Sequence, residues 1–361
     1  MRRPRYLRWI VLSAAILAPT VPLACVSDDN AAPPGVDAGF DTSQPEASQQ
    51  DASQPDTSQP DASPGATDAP SDTAVASEAE AGPPVVEVIG QGIFSPDQLV
   101  TDMSFLYITE TVPTDAGTVS RIVRCPIAGC GASTPAIVAD NLSVPGGLTI
   151  SGTTLFWTEG FSALKSCDVT TVPCTSSVFE TATDDAGSGT FPSQLWVNAG
   201  NLYWFEQFGS DRAILTCPVA GCTTGYPKTV LYASTGTPLS GAGTSGLVTD
   251  GNYAYVTLIS GGPVLRYTMT SAVLADPTSE TNLASTPGGT HVLDLDGTTL
   301  RWAESANGLV AACTAPGCTT VTDAVTGLVT PYAVTHDATY IYGVDQGNAD
   351  AGADLWRVAK P

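Results

Sequence analysis

Short apolar and β-branched runs of four to six residues fill the chain from Val85 to Pro361, and Gly, Pro, Thr and Ser interrupt them at close intervals. No window there repeats with the 3.6-residue period of an amphipathic helix. Short runs bounded by turn residues predict strands, so the expected class is all-β.

One phrase recurs within this region: an apolar strand, a turn residue, then an aromatic strand ending in an acid. It stands as Leu148-Thr-Ile-Ser-Gly-Thr-Thr-Leu-Phe-Trp-Thr-Glu159, again from Leu195 to Glu206, and again from Leu293 to Glu304. Weaker copies run from Leu99 to Glu110, Leu247 to Leu258 and Val334 to Asp345, and all six align over twelve residues without a gap. The turn position holds Asp102, Ser151, Asn198, Asp250, Asp296 and Asp337, types whose side chains close their own turns. The aromatic position holds Tyr107, Phe156, Tyr203, Tyr255, Arg301 and Tyr342, spaced 49, 47, 52, 46 and 41 residues apart. That period in an all-β chain points to four-stranded propeller blades. After Tyr342 only Asp354–Val358 remains as a third strand, so Val85–Ile89 is expected to complete the last blade and close a six-bladed β-propeller.

Leu155-Phe-Trp-Thr-Glu159 and Leu202-Tyr-Trp-Phe-Glu206 resemble the YWTD repeat of low-density-lipoprotein-receptor-type six-bladed propellers. The resemblance spans residues 85–361 and is close in two or three copies. It implies the architecture and a mainly structural role for the motif residues. The overall layout is similar to that of bacterial lipoproteins of unknown function.

The residues before the propeller divide in two. Arg2, Arg3, Arg5 and Arg8 precede an apolar run from Trp9 to Leu17, which reads as a secretory signal over residues 1–24. Leu23-Ala24-Cys25 resembles a bacterial lipobox, with Pro22 where Leu is usual, and implies lipidation of Cys25. An ordinary signal peptide with a passive Cys25 is the alternative. Residues 25–84 hold twelve acids, no Lys or Arg, and near-repeats such as Asp51-Ala-Ser-Gln-Pro55 and Asp56-Thr-Ser-Gln-Pro60. So little apolar surface cannot offset the entropy of ordering, and a disordered tether is expected. It would span about 45 Å as a coil and approach ~180 Å extended.

Eight cysteines remain, in four close pairs: Cys125 and Cys130, Cys167 and Cys174, Cys217 and Cys222, Cys313 and Cys318. Each pair falls where a blade's third and fourth strands should meet, and a short hairpin turn would set the two residues opposite each other. Export, an even count and the absence of C-x-x-C favour structural disulfides over zinc or redox sites.

Charge narrows the function. Acids outnumber bases 36 to 13, yet only 14% of the chain is charged, so the imbalance comes from scarce Lys and Arg. Nucleic acid is not an expected partner, since a basic footprint is missing. The propeller region keeps 24 acids and nine bases. Candidate chemistry there is thin. Gly241-Ala-Gly-Thr-Ser-Gly246 matches a dinucleotide pattern but precedes a strand in an all-β chain, so a blade-linking role is expected. His291 and His336 read as isolated. Asp294 interrupts an apolar first strand and, with Trp196, is a candidate channel or surface contact. The recurring Glu110, Glu159, Glu206, Glu304 and Asp345 are expected to be structural, and Trp157, Trp204 and Trp302 to pack between blades. No catalytic residue, cofactor or metal ligand is assigned, although a divalent cation such as calcium is conceivable at the channel.

The leading expectation is a lipid-anchored binding or scaffold protein of the cell envelope, at the outer membrane's periplasmic face or the cell surface. It would contact the membrane through Cys25 and an unknown protein or glycan through the propeller. The alternative is a lactonase-like, metal-dependent propeller hydrolase with carboxylates at the channel mouth.

Overall fold

Strand-forming residues alternate with tight turns throughout the computed structural model, and every described sheet has four strands. The described residues are 85–361 apart from 161, 182–190, 209–210, 223–226, 234–243, 259–261, 270–280, 285–288 and 348–351. The signal segment, Cys25 and the tether up to residue 84 lie outside them.

Each sheet is a blade, and blades 1 to 5 are built in chain order from the channel outward. Blade 1 comprises β2 (Leu99–Thr101), β3 (Phe105–Thr114), β4 (Gly117–Pro126) and β5 (Ala136–Leu142). Blade 2 comprises β6 (Pro145–Ser151), β7 (Thr154–Glu159), β8 (Ala163–Asp168) and β9 (Ser177–Thr181). Blade 3 follows with β10 (Phe191–Asn198), β11 (Asn201–Phe208), β12 (Asp211–Pro218) and β13 (Lys228–Ala233). Blade 4 holds β14 (Thr244–Thr249), β15 (Tyr253–Leu258), β16 (Val264–Thr268) and β17 (Thr281–Ala284). Blade 5 holds β18 (Thr290–Asp296), β19 (Thr299–Glu304), β20 (Leu309–Thr314) and β21 (Val321–Val325). Blade 6 is β22 (Pro331–His336), β23 (Tyr340–Asp345), β24 (Ala353–Ala359) and, outermost, β1 (Glu87–Ile93). The expected six-blade ring and its closure by the first strand are both present. The closing strand runs Glu87–Ile93, four residues beyond the expected end at Ile89.

The antiparallel order fixes two faces. First strands begin on what we call the upper face, where the strand 2–3 turns and the links between blades also lie. The first-strand turns, the disulfide loops and the start of β1 lie on the lower face. Hydrophobic cores sit between blades: Tyr107, Ile122 and Val138 of blade 1 pack with Leu148, Leu155 and Trp157 of blade 2, and comparable clusters occupy the other five junctions. Side chains two apart on a strand share a face. Accordingly Trp157, Trp204 and Trp302 are wholly buried, and each donates its indole N–H to the acid two residues on, Glu159, Glu206 and Glu304.

Blades 1, 4 and 6 use a different device. Asp102, Asp250 and Asp337 each accept two backbone N–H bonds on Oδ1 and a buried tyrosine hydroxyl on Oδ2, from Tyr107, Tyr255 and Tyr342. Burial, then the neighbouring carboxylate, pushes all three phenols above the usual tyrosine range. Opposite each tyrosine on the third strand stands an arginine: Arg124, Arg266 and Arg357. Each guanidinium lies 4.3–4.8 Å from an aromatic ring centroid of its own blade. Each then donates to a carbonyl in the next blade's disulfide loop, Val169, Pro316 and Ile127.

All four cysteine pairs are disulfides, with Cα atoms 5.0–5.9 Å apart. The expected cross-strand hairpin geometry is not what they adopt. The first cysteine is the penultimate residue of a third strand, while Cys130, Cys174, Cys222 and Cys318 lie in the connecting loop, three to six residues before the fourth strand. Each bridge therefore closes a loop rather than joining two strands. In blade 1 that loop clasps the ring's closure, since Cys130 and Gly131 both donate backbone N–H to Ile89 O at 2.9 Å.

Candidate functional site

The first strands converge on the axis and nearly fill it. Leu99, Leu148, Leu195, Leu247, Leu293 and Val334, all at the first repeat position, line a cavity of only about 20 Å³, room for about one water. The channel therefore separates two mouths.

At the lower mouth, the expectation that His336 is isolated is corrected: it binds Asp294, which also lines the axial cavity. Asp294 is 2% exposed, and its carboxylate takes Arg301 Nη1 at 3.1 Å and His336 Nδ1 at 2.7 Å. Asp296 completes the group: it pairs with Arg301 Nη2 at 3.2 Å, His336 Nε2 at 3.4 Å and Lys360 Nζ. Burial raises the Asp296 pKa, but Lys360, His336 and Arg301 outweigh it and hold the carboxyl below the usual range. Arg301 explains its own presence in the repeat. It replaces tyrosine five residues after the turn acid, and reaches the same acid that a tyrosine hydroxyl reaches in blades 1, 4 and 6. Two carboxylates thus face two fixed cations, and both Asp294 oxygens are engaged. Among the described residues no group of three or more His, Cys, Asp or Glu is placed to hold a metal ion. A cavity of about 590 Å³ lies beside Arg301 and Lys360, between blades 5 and 6.

The recurring acids do not converge. Glu110 binds Arg121 and the Phe94 amide, Asp345 caps Val329, Thr330 and Gly347 amides, and the three glutamates of blades 2, 3 and 5 hold the tryptophans. Trp196 is half-buried beside the axis and donates to Thr249 O of blade 4. Residues 241–243 of the glycine pattern lie outside the described set. Gly246 belongs to β14, where a Cβ would come 2.8 Å from Leu293 N of blade 5. Its role is close approach of blades, not phosphate binding.

The upper mouth differs. His291 stacks on Tyr332 with ring centroids 3.9 Å apart, and burial lowers its pKa. Tyr332 hydrogen-bonds Asp97; burial, then that carboxylate, pushes its hydroxyl up to about 12. The same face carries exposed apolar side chains from four blades: Phe94, Val144, Phe191 and Val329, 37–60% exposed. All four precede or open a first strand, so all four belong to the upper face. Two cavities open among them. One of about 220 Å³ adjoins Phe94, and one of about 310 Å³ adjoins Val144, Phe191 and Arg212. Sequence reading missed this surface because its members come from the links and strand starts of separate blades, and only the ring order puts them on one face.

Neither a protein-family model nor a curated protein sequence matches the chain. Solved structures do. Regucalcin, a calcium-binding protein from Agrobacterium tumefaciens, is 12% identical with a TM-score of 0.54, over 77% of this chain and 96% of that one. A glucose-dehydrogenase-type putative oxidoreductase from Thermus thermophilus is 12% identical with a TM-score of 0.52, over 76% and 99%. A chain of a nidogen–laminin complex is 15% identical with a TM-score of 0.48, over 67% and 85%. Likeness at such identity concerns architecture, and one architecture hosts many chemistries. What blade order, closure and the first two likenesses establish together is a six-bladed β-propeller pinned by four disulfides.

Proposed function

We propose that the protein is a lipid-anchored, extracytoplasmic binding protein whose propeller offers its upper face to a protein or glycan. The carrying observation is that Phe94, Val144, Phe191 and Val329 stand exposed on one face, the first three lining two open cavities. Grouped exposed apolar residues with a polar rim characterise interaction surfaces, whereas single ones are ordinary. Four disulfides fit an oxidising compartment. The signal pattern and Cys25 supply the anchor.

The test is direct binding of the full chain to envelope proteins and glycans, in parallel with a Phe94→Ser/Val329→Asp double variant and a Met103→Asp control on the lower face. The upper-face variant is expected to lose about tenfold or more in affinity, as for residues central to an interface, and the control to lose nothing. Equal binding by all three refutes the surface. Mass spectrometry of the mature N-terminus tests the anchor: an unmodified Cys25, or cleavage elsewhere, refutes it.

A further inference from the structure

Among the described residues lining the 310 Å³ cavity of the upper face there is one cation and no carboxylate. Five of the propeller's six arginines are engaged: Arg121, Arg301 and Arg357 with carboxylates, Arg124 and Arg266 with carbonyl oxygens. Among the described residues, Arg212 alone has no such partner, and its Nε is buried without a hydrogen bond. Burial, with no carboxylate to offset it, pulls its pKa below the usual arginine value. Arg212 lies in β12 opposite Gln207, and the strand's period of two puts it on the side of Ile214, which packs toward blade 4. There Thr244 opens β14 and lines the same cavity, and its Oγ1 is also buried and unpartnered. Native interiors leave few polar atoms unpaired, and two in one cavity mark a place where a ligand completes the bonding.

We propose that this cavity binds the carboxylate of an acidic sugar, a uronate unit of a glycan. The guanidinium fork matches a carboxylate in two parallel bonds. Among the described residues no Asp or Glu lines the cavity and competes for the fork. The half-exposed Phe191 ring offers a platform for the C–H face of a pyranose, and Ser193, Gln194 and Thr158 offer hydroxyl and amide partners for ring hydroxyls. A phosphate would call for a second cation, and among the described lining residues Arg212 is the only one. Blade 2 contributes Gly146 and Gly147 to the wall. A Cβ on Gly147 would come 2.6 Å from Leu195 N, so glycine lets blades 2 and 3 meet beneath the site. The inference rests on the upper face being the binding surface and names the ligand that one part of it takes.

Calorimetric titration of the full chain with digalacturonate and glucuronic acid, against galactose and glucose, tests it. The acids are expected to bind at least about tenfold more tightly than their neutral parents. Arg212→Gln is expected to remove that preference, and Thr244→Val to weaken the acids alone, each with an unchanged melting temperature. Equal affinity for acid and neutral sugars, unaltered binding by both variants, or no heat at about 10 mM acid overturns the inference. If no uronate binds while the Phe94→Ser/Val329→Asp variant still loses a partner, only this inference falls. If both measurements fail, the upper-face reading falls with it.

Discussion

Replacing Asp337 with alanine removes three hydrogen bonds at once. Its Oδ1 accepts from Thr339 N at 2.6 Å and Tyr340 N at 2.7 Å, and its Oδ2 accepts from Tyr342 Oη at 2.6 Å. Tyr342 is wholly buried, so its hydroxyl has little access to water and pays about 1–3 kcal/mol when left unpaired. The two amides lie at an exposed turn where water can replace the carboxylate, so they add about 0.5 kcal/mol each. The expected loss is therefore about 2–4 kcal/mol, read as a shift of the urea midpoint at about pH 7 with disulfides intact. Asp337→Asn keeps an acceptor for the amides and is expected to cost about half as much. Tyr342→Phe in the Asp337→Ala background should add little, giving a coupling of about 1–2 kcal/mol in the double-mutant cycle. The pH dependence has a definite sign. Burial raises the Asp337 pKa, but the bonds from Tyr342, Tyr340 and Thr339 outweigh it and hold the folded carboxyl below the usual aspartate range. Its stabilisation is thus present above the unfolded pKa of about 3.9 and is lost as pH falls through the depressed folded value. The alanine variant should lack that acidic slope. A loss under about 0.5 kcal/mol, or strict additivity with Tyr342→Phe, would refute the account of the turn.

Gly343→Ala should destabilise by about 3 kcal/mol, because its Cβ would fall 2.1 Å from Trp356 Cζ2; an unchanged melting temperature would contradict the packing. Arg357→Ala removes the Ile127 carbonyl bond, an exposed pair with Glu87 and the contact with Tyr340. It should cost about 2 kcal/mol and raise hydrogen exchange in β1 before other strands; uniform exchange would argue against a weakened closure. Alkylation of the denatured chain without reductant should leave the eight propeller cysteines unlabelled, and a Cys125→Ala/Cys130→Ala pair should lose about 2 kcal/mol in the chain-entropy account. Labelling of most of the eight would remove the disulfide assignment.

The blades were legible because each repeats the same twelve-residue phrase at a propeller period. Closure followed from counting strands after Tyr342. What escaped were contacts between blades. Arg124 and Val169 are 45 residues apart, and Asp294 and His336 are 42 apart, distances that only the ring order makes short. A local signal did exist for the first: arginine faces the tyrosine in the three blades whose repeat reads Asp-x-x-aromatic-x-Tyr, from Asp102, Asp250 and Asp337. Blade 6 hid its packing differently. Its repeat has Gly343 where blades 2, 3 and 5 have tryptophan, and the missing indole comes from Trp356, paired opposite it on β24. The upper-face cavity was illegible because Arg212 becomes unusual only when the engagement of the other arginines is known.

The strand that closes the ring also has a mechanical meaning. Glu87 begins β1 on the lower face, and β1 runs antiparallel to β24 through pairs from Glu87–Arg357 to Ile93–Ala353. A pull on the preceding chain acts along this strand, so its ladder bonds are loaded together in shear rather than opened one after another. The Cys130 loop holds Ile89 from the neighbouring blade and resists the same displacement. Resistance to such a load is set by the unfolding rate, not by equilibrium stability. Under tension the first bonds to yield would be those of β1, and a disulfide-closed loop of blade 1 would stand guard over them.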